Sequence, residues 1–365
     1  MWAIDIDSMT WHKPTCAGRG PGARYGHCAV VIDYKVYIFG GRGPRGLLYN
    51  DLWCLDVETW SWTLLPSTTA PPLARFGHAG VAVGGKFAVW GGWDGKSMYN
   101  DLWVYDVAGR QWLKPKITGS APPARHGHSM VLSPAGHIII FGGWAQSERG
   151  WPQYLSDTRV LDTASMAWIR PRISGAMPPG SYAHGAVMVG KYMVLLGGYQ
   201  GNKVKPPAAA VDAKTLSEEA DRGCQVVPET LPDMPPPVGF AQSPDGQEVP
   251  IGKHPCLWVL DTDADTDAGM SSGVAPNKRH GREELLEMRW IQPLTVGQPP
   301  GKRYGMGVVP VGPHVLILSG WDGNKALNDV LQVDMSALVG SVILPARDDG
   351  LMEGIEEESV PVMDG

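Results

Sequence analysis

Residues 75–112 read RFGHAGVAVGGKFAVWGGWDGKSMYNDLWVYDVAGRQW, and this stretch decides the fold. It contains four landmarks: an arginine–aromatic–Gly–His segment at Arg75–His78, an apolar run that ends in a double glycine, the segment NDLWVYD that ends at Asp106, and Trp112 six residues later. Short β-branched and aromatic runs bounded by turn residues are typical of strands. The stretch therefore predicts four successive short strands.

The same landmarks recur along the chain at nearly constant spacing. The arginine position is 51, 50 and 56 residues from its predecessor in successive copies, and the double glycine follows it by 16 or 17 residues. The arginine positions are Arg24, Arg75, Arg125, Ser181 and Arg303. The glycines are Gly40, Gly41, Gly91, Gly92, Gly142, Gly143, Gly197, Gly198 and Gly320, with Ser319 before the last. The spaced tryptophans are Trp11, Trp62, Trp112, Trp168 and Trp290.

A four-stranded unit repeated about every 50 residues is the sequence signature of a β-propeller blade. One blade cannot bury both of its faces, so blades must stack around a ring. Six segments resemble a third strand, ending at Asp5, Asp56, Asp106, Asp162, Asp261 and Asp334, but only five have first and second strands before them. We therefore favour six antiparallel four-stranded blades with one incomplete. The alternative is a five-bladed ring whose last blade is completed by the N-terminal strands.

Composition excludes several classes of protein. The chain has 47 Gly and 32 Pro in 365 residues, which indicates many turns and few long helices. The formal net charge of −6 disfavours nucleic acid as a partner. Five cysteines without a C-x-x-C pair suggest neither a disulfide framework nor a zinc site. The first residues do not resemble a signal peptide, and no apolar run is long enough for a membrane helix. We expect a cytoplasmic protein, with a cytoskeletal or ciliary association as the alternative.

The double glycine, NDLWxLD and the spaced tryptophan resemble the Kelch-repeat family, and the resemblance covers residues 1 to about 335. The motif is specific for the fold and says little about function. The glycines permit positive φ and close approach of strands. We expect each tryptophan to lie between adjacent blades, and each aspartate that ends a third strand to accept backbone hydrogen bonds from the following hairpin.

The Kelch resemblance also implies a partner-binding rim. In relatives that capture peptides, the residue before the first strand and the residue after the double glycine lie on one rim. The first set here comprises Arg24, Arg75, Arg125, Ser181 and Arg303. The second set comprises Arg42, Trp93, Trp144, Tyr199 and Trp321. Arginines recognise carboxylates and phosphates, so an acidic or phosphorylated peptide is the ligand class that this rim favours. The alternative is that these residues serve blade packing.

Two insertions interrupt the predicted domain of residues 1–340, and a tail follows it. Residues 200–254 are rich in Pro and polar residues and favour a disordered loop, with a short helix conceivable over 208–220; a docking arm is the alternative. Residues 262–287 begin with an acidic run whose spacing does not match an EF-hand loop. Residues 341–365 are acidic and predict a disordered tail, although SVILP within it could form a fourth strand.

The sequence favours a non-enzymatic interaction module or scaffold without a cofactor. Four histidines, His27, His78, His128 and His184, recur at one motif position, where packing is a better explanation than metal binding. The copper site of galactose oxidase and the iron motif of plant specifier proteins, both Kelch-type folds, have no match here. The alternatives are a structural subunit of a cytoskeletal or ciliary assembly and, less favoured, a Kelch-fold metal enzyme.

Overall fold

A computed structural model describes residues 1–147, 150–200, 239–242, 248–263, 286–297, 300–336 and 341–345. Within these ranges the chain is built of strands and one 3-10 turn, Pro44–Gly46, and contains no α-helix. The predicted all-β propeller of antiparallel four-stranded blades is confirmed: five such blades follow one another along the chain. Residues 208–220 and the acidic run at 264–285 lie outside the described residues.

The first strands form a small sheet that precedes the blades. It consists of β1 (Ala3–Asp5) and β2 (Thr10–His12), which pair antiparallel. Blade 1 follows with β3 (Cys28–Ile32), β4 (Lys35–Phe39), β5 (Leu52–Asp56) and β6 (Ser61–Leu64). Blade 2 has β7 (Ala79–Val83), β8 (Lys86–Trp90), β9 (Leu102–Asp106) and β10 (Gln111–Leu113). In both blades the strands pair in sequence order.

Blades 3 and 4 carry extra strands. A short β11 (Thr118–Gly119) leads into blade 3. The four strands of this blade are β12 (Ser129–Leu132), β13 (His137–Phe141), β16 (Thr158–Asp162) and β17 (Ala167–Ile169). A separate hairpin of β14 (Trp144–Gln146) and β15 (Pro152–Tyr154) lies between β13 and β16 in the sequence. Next come β18 (Arg172–Gly175), β19 (Gly185–Val189) and β20 (Tyr192–Leu196). Blade 4 is completed by β23 (Leu257–Asp261) and β24 (Glu287–Ile291). The insertion before β23 forms β21 (Gly239–Gln242) and β22 (Glu248–Lys253), which belong to the sheet of blade 5.

Blade 5 is completed by the C-terminal part of the chain. After β25 (Leu294–Val296), it consists of β26 (Gly307–Val311), β27 (His314–Trp321), β28 (Ala326–Asp334) and β29 (Ser341–Pro345). Residues 341–345 therefore belong to the propeller and not to the tail, because their backbone pairs with β28. The N-terminal strands do not complete this blade, since β29 already occupies its fourth position. Part of the 200–254 insertion also adds to blade 5: β22 pairs with β25.

The core lies between neighbouring blades. Four clusters of buried apolar side chains join blade 1 to blade 2, blade 2 to blade 3, blade 3 to blade 4, and blade 4 to blade 5. The first strands of successive blades pack side by side, in the order β3, β7, β12, β19 and β26. Each blade thus buries apolar side chains on the face that it turns to its neighbour, as stacking predicts.

Candidate functional site

A short backbone bridge holds the residue after each double glycine in place. In every blade this residue pairs with the residue that follows the arginine position, and each pair exchanges two backbone hydrogen bonds. The pairs are Tyr25 with Arg42, Phe76 with Trp93, His126 with Trp144, Tyr182 with Tyr199, and Tyr304 with Trp321. The repeat therefore brings ten side chains, nine of them aromatic rings, to one rim. We call this set the aromatic rim.

Rings of the aromatic rim contact one another across blades. The ring centroids of Trp93 and Trp144 are 6.1 Å apart, and His126 stacks on Trp144 at 5.0 Å with an interplanar angle of 28°. His126 is also 5.2 Å from Tyr182. On the far side, Tyr199 lies 5.8 Å from Tyr304. The guanidinium of Arg42 lies 5.5 Å from the Phe76 ring centroid, so an arc of π surface with one cation at its beginning lines the rim.

Two polar atoms of the aromatic rim lack a partner. The indole N–H of Trp321 and Nδ1 of His126 are buried and have no hydrogen-bond partner among the described residues. Buried polar groups in native proteins are nearly always satisfied.

The four arginines that the sequence predicts on the rim are buried, whereas contact with a partner requires exposed side chains. Arg75 and Arg125 are fully buried, and Arg24 and Arg303 have almost fully buried side chains. Each forms a bidentate ion pair with an aspartate just before or within the third strand of its blade; Arg125 Nη1, for example, is 2.6 Å from Asp157 Oδ1. The structure therefore gives these arginines an internal structural role, which differs from the predicted contact with an acidic ligand.

Each guanidinium also ties together three parts of its blade. Arg75 donates to the Gly91 carbonyl at 3.0 Å and to the Leu73 carbonyl at 3.0 Å, in addition to Asp101. The Tyr99 ring lies 4.1 Å from the guanidinium carbon. Burial raises the pKa of Asp101, but the hydrogen bonds and charge of Arg75 outweigh it and hold this pKa below its ordinary value. The aspartate is thus ionised at neutral pH and the pair is charged.

Blade 4 lacks both members of this ion pair. Ser181 stands at the arginine position and Cys256 at the aspartate position. Ser181 instead lies 3.1 Å from Nδ1 of His184, with its hydroxyl as the contact atom. A buried charge without its partner is costly, so loss of one member at this position requires loss of the other. A small cavity of about 10 Å³ borders Cys256, His254 and Met306 at the same place.

The repeated histidines lie between blades rather than around one centre. His78, His128 and His184 are buried, whereas His27 is exposed. His78 Nε2 lies 3.1 Å from the carbonyl oxygen of Phe39 in the preceding blade, and burial lowers the pKa of His78 to about 3. Within the residues that the structure describes, no group of three or more His, Cys, Asp or Glu side chains could hold a metal ion.

The spaced tryptophans differ in burial according to their blade. Trp112, Trp168 and Trp290 are buried and contact an aromatic side chain of the preceding blade; Trp112, for example, is 4.8 Å from Phe39. Trp62 is half-buried and Trp11 is exposed. The aspartates that end third strands accept backbone hydrogen bonds from the following turn, as at Asp56 and Asp162.

The sequence predicts one residue of each bridge pair and not the other, and contact of these residues with a partner protein stays a prediction. Arg42, Trp93, Trp144, Tyr199 and Trp321 lie together on the aromatic rim. Their partners Tyr25, Phe76, His126, Tyr182 and Tyr304 were not predicted. The available signal was their constant position immediately after the arginine, where four of the five are Tyr or Phe.

Comparison with known proteins agrees with this architecture. The family model described as the KLHDC2/KLHL20/DRC7 Kelch-repeats domain matches residues 1–198, slightly more than half of the chain. Human host cell factor 1 is 36% identical over 111 residues, which cover 26% of this chain and 6% of that protein. Acyl-CoA-binding domain-containing protein 4 of Arabidopsis thaliana is 24% identical over 359 residues, covering 93% of this chain and 42% of that protein.

A further relative, human Kelch domain-containing protein 3, is 36% identical over 93 residues, 25% of this chain and 24% of that protein. The chain thus spans less than half the length of each of these relatives. With the repeats, the blades and the family match taken together, the chain belongs to the Kelch-repeat family.

Proposed function

We propose that this protein is a non-enzymatic interaction module that binds a segment of a partner protein on the aromatic rim. The observation that supports this most is the continuous arc of rings that the bridge pairs create. Aromatic side chains provide large contact area at low entropic cost and dominate interface energies.

The charge preference of the rim depends on Arg42. Arg24, Arg75, Arg125 and Arg303 form ion pairs with internal aspartates, and we assign contact with an acidic or phosphorylated ligand to Arg42, the arginine of the aromatic rim. Asp94 and Asp322 follow Trp93 and Trp321 in the same loops and oppose such a ligand. We therefore propose a ligand with apolar and aromatic residues at its centre, and an acidic group only where it reaches Arg42.

The rim is tested with a peptide selected from a random display library on the full chain. Its affinity is measured by fluorescence anisotropy for the unmodified protein and for two variants, Trp144→Ala and Trp103→Ala. Trp103→Ala is the control, because Trp103 is a half-buried tryptophan of β9 in blade 2 and is not part of the aromatic rim. We expect Trp144→Ala to weaken binding at least tenfold, on the order of 1.4 kcal/mol or more. Equal affinities of the two variants would exclude the aromatic rim as the binding surface.

The role of Arg42 requires a separate measurement. If the selected peptide carries a carboxylate or phosphate at Arg42, Arg42→Gln should weaken binding and reduce its dependence on salt concentration. An unchanged salt dependence with reduced affinity would indicate that Arg42 contributes through packing on Phe76. Unchanged affinity would remove acidic recognition from the proposal.

A structural subunit of a larger cytoskeletal or ciliary assembly is the second candidate function. The small sheet of β1 and β2 favours it, because the described residues pair β1 with β2 alone and a sheet edge is a place of assembly. We propose a cytoplasmic location, with which the four described cysteines, none of them in a disulfide, are compatible. In the described residues no helix meets the length and hydropathy needed to span a membrane.

A further inference from the structure

In four blades the bridge pair of the aromatic rim has a third residue beside it. The residue after the double glycine pairs on its other side with the residue three positions before the aspartate of the internal ion pair. These pairs are Arg42 with Leu48, Trp93 with Met98, Trp144 with Tyr154, and Trp321 with Ala326. We call Leu48, Met98, Tyr154 and Ala326 the third positions.

The third position lies close to the rim residue with which it pairs. Trp93 exchanges both of its backbone hydrogen bonds with Phe76, so its pair with Met98 is of the non-hydrogen-bonded kind. A backbone bond of 2.9 Å from the Tyr99 amide to the Gly92 carbonyl flanks this pair. In antiparallel pairs of this kind the Cα atoms are about 4.5 Å apart and the two side chains share one face. A third-position side chain therefore borders the surface that its rim residue presents.

Tyr154 is the largest of the third positions and is held from two sides. The chain returns to the third position after five or six residues in blades 1, 2 and 5, but after ten residues in blade 3, where the β14–β15 hairpin carries it. Tyr154 pairs there with Trp144 of its own blade. Its ring centroid lies 5.6 Å from that of Tyr199 in blade 4, at an interplanar angle of 68°. The Tyr154 ring thus stands between two residues of the aromatic rim.

Met98 gives the corresponding place in blade 2 a different character. It is half-buried beside Trp93. A methionine side chain is unbranched, has three rotatable bonds and adapts to neighbours of different shape. A tyrosine side chain has only two such bonds, and Tyr199 restricts Tyr154 further. Movement of Met98 can accommodate a large apolar side chain next to Trp93, whereas Tyr154 keeps such a side chain away from Trp144.

We propose that the third positions select the partner, with Met98 and Tyr154 as specificity-determining residues. The partner segment has a large apolar side chain, such as leucine or phenylalanine, where it contacts Trp93. It has a small residue, glycine or alanine, where it contacts Trp144. This inference rests on the proposed function, because it assigns the sequence class of the segment that the aromatic rim binds.

A reciprocal exchange of third positions tests the assignment. Tyr154→Met and Met98→Tyr each introduce the residue that the other blade already carries at the equivalent position. The probe is the display-selected peptide, with each of its positions replaced in turn by glycine, leucine and phenylalanine, and affinities are measured by fluorescence anisotropy. Tyr34→Met is the matched control, since Tyr34 is exposed in the β3–β4 turn and is not part of the rim.

The exchanges should change a preference for side-chain size and not only an affinity. We expect Tyr154→Met to raise the affinity for leucine or phenylalanine relative to glycine by about tenfold at one peptide position. Met98→Tyr should lower the same ratio by about tenfold at a different peptide position, because the added ring crowds the large side chain next to Trp93. Tyr34→Met should leave every ratio unchanged.

Trp144→Ala, measured in parallel, separates this inference from the proposed function. If Trp144→Ala weakens binding while neither exchange alters a size preference, the third positions do not select the partner, although the aromatic rim binds it. If Trp144→Ala leaves the affinity unchanged, the proposed function itself fails. An exchange that lowers all affinities by one factor also overturns the inference, because it shows a role in rim stability alone. Where thermal unfolding shows that one exchange has lost its fold, the other decides, since each predicts its own change of preference.

Discussion

Buried ion pairs are the residue-scale feature that unites the repeats. Each links the segment before the first strand to the end of the second strand and the beginning of the third, as in Arg125 with Gly142 and Asp157. The guanidinium donors are almost fully used, so this arginine does not depend on a ligand for satisfaction. Its recurrence in four blades is explained by assembly of the blade, without reference to a partner.

The first prediction concerns the Arg125–Asp157 pair. Arg125→Ser removes the buried cation from Asp157, which keeps its ion pair with Arg159 and some contact with water, and should destabilise the protein by about 2–4 kcal/mol. Asp157→Cys alone should also destabilise the protein, because it leaves the buried Arg125 guanidinium without its carboxylate. The double variant reproduces Ser181 and Cys256 of blade 4 and should recover part of the loss. Chemical denaturation measures all three; strictly additive effects would contradict the coupling.

The second prediction concerns the tryptophans between blades. Trp112 is 3% exposed between Phe39 and Tyr105, and Trp11 at the N-terminal sheet is 45% exposed. Trp112→Ala should cost about 3–5 kcal/mol through the cavity that it leaves, and Trp11→Ala much less. Thermal unfolding compares the two, and a melting temperature of Trp112→Ala equal to that of Trp11→Ala would contradict the assignment of Trp112 to the blade 1–blade 2 interface.

At the scale of elements, strand order and register account for what each blade presents to its neighbour. Alternation along β3 turns Cys28, Val30 and Ile32 to blade 2 and leaves Val31 on the free face. The double glycine ends each second strand where the next blade approaches most closely. The same register delivers the following residue to the aromatic rim, so blade assembly and rim geometry have one cause.

The third prediction concerns the last strand of blade 5. Truncation after residue 340 removes β29 and leaves the β28 edge unpaired, so it should lower the melting temperature and speed hydrogen exchange at Leu331 and Val333. Truncation after residue 345 keeps the strand and should change neither quantity, since the sequence predicts a tail there. Equal effects of the two truncations would contradict the assignment of residues 341–345 to the propeller.

The fourth prediction is a loss of stability in mild acid. Burial lowers the pKa of His126, His184 and His254 to about 4 and that of His78 to about 3. Between the ordinary value of about 6.5 and these values, the unfolded chain binds protons that the folded chain does not. Stability should therefore fall as pH decreases from about 6.5 to about 4, by up to about 1.4 kcal/mol per pH unit for each histidine.

Denaturation from pH 7 to pH 4.5 measures this dependence. His78→Gln can keep a donor for the Phe39 carbonyl while it removes one titrating group, so its stability should vary less steeply with pH. The lower limit stays above the ordinary pKa of aspartate, about 3.9. A slope equal to that of the unmodified protein would show that His78 is not held neutral in the fold.

At the scale of the whole molecule, repetition made the fold predictable and the rim only partly so. The spacing of the glycines, aspartates and tryptophans requires a four-stranded unit, and Arg75 to Trp112 contains all of it. The burial of Arg75 could not be predicted from spacing, because its partner Asp101 is 26 residues away and belongs to another strand.

The most direct test of the central claim, that partners bind the end of the propeller bearing the aromatic rim, is site-specific photo-crosslinking. Benzoylphenylalanine replaces Lys96, which is exposed in the blade 2 loop after Trp93, or Tyr34, which is exposed in the β3–β4 turn of blade 1, at the end of these strands away from Tyr25 and Arg42. The biotinylated display-selected peptide is then added and irradiated. We predict a crosslink from position 96 and none from position 34. A crosslink from position 34 without one from position 96 would contradict the account.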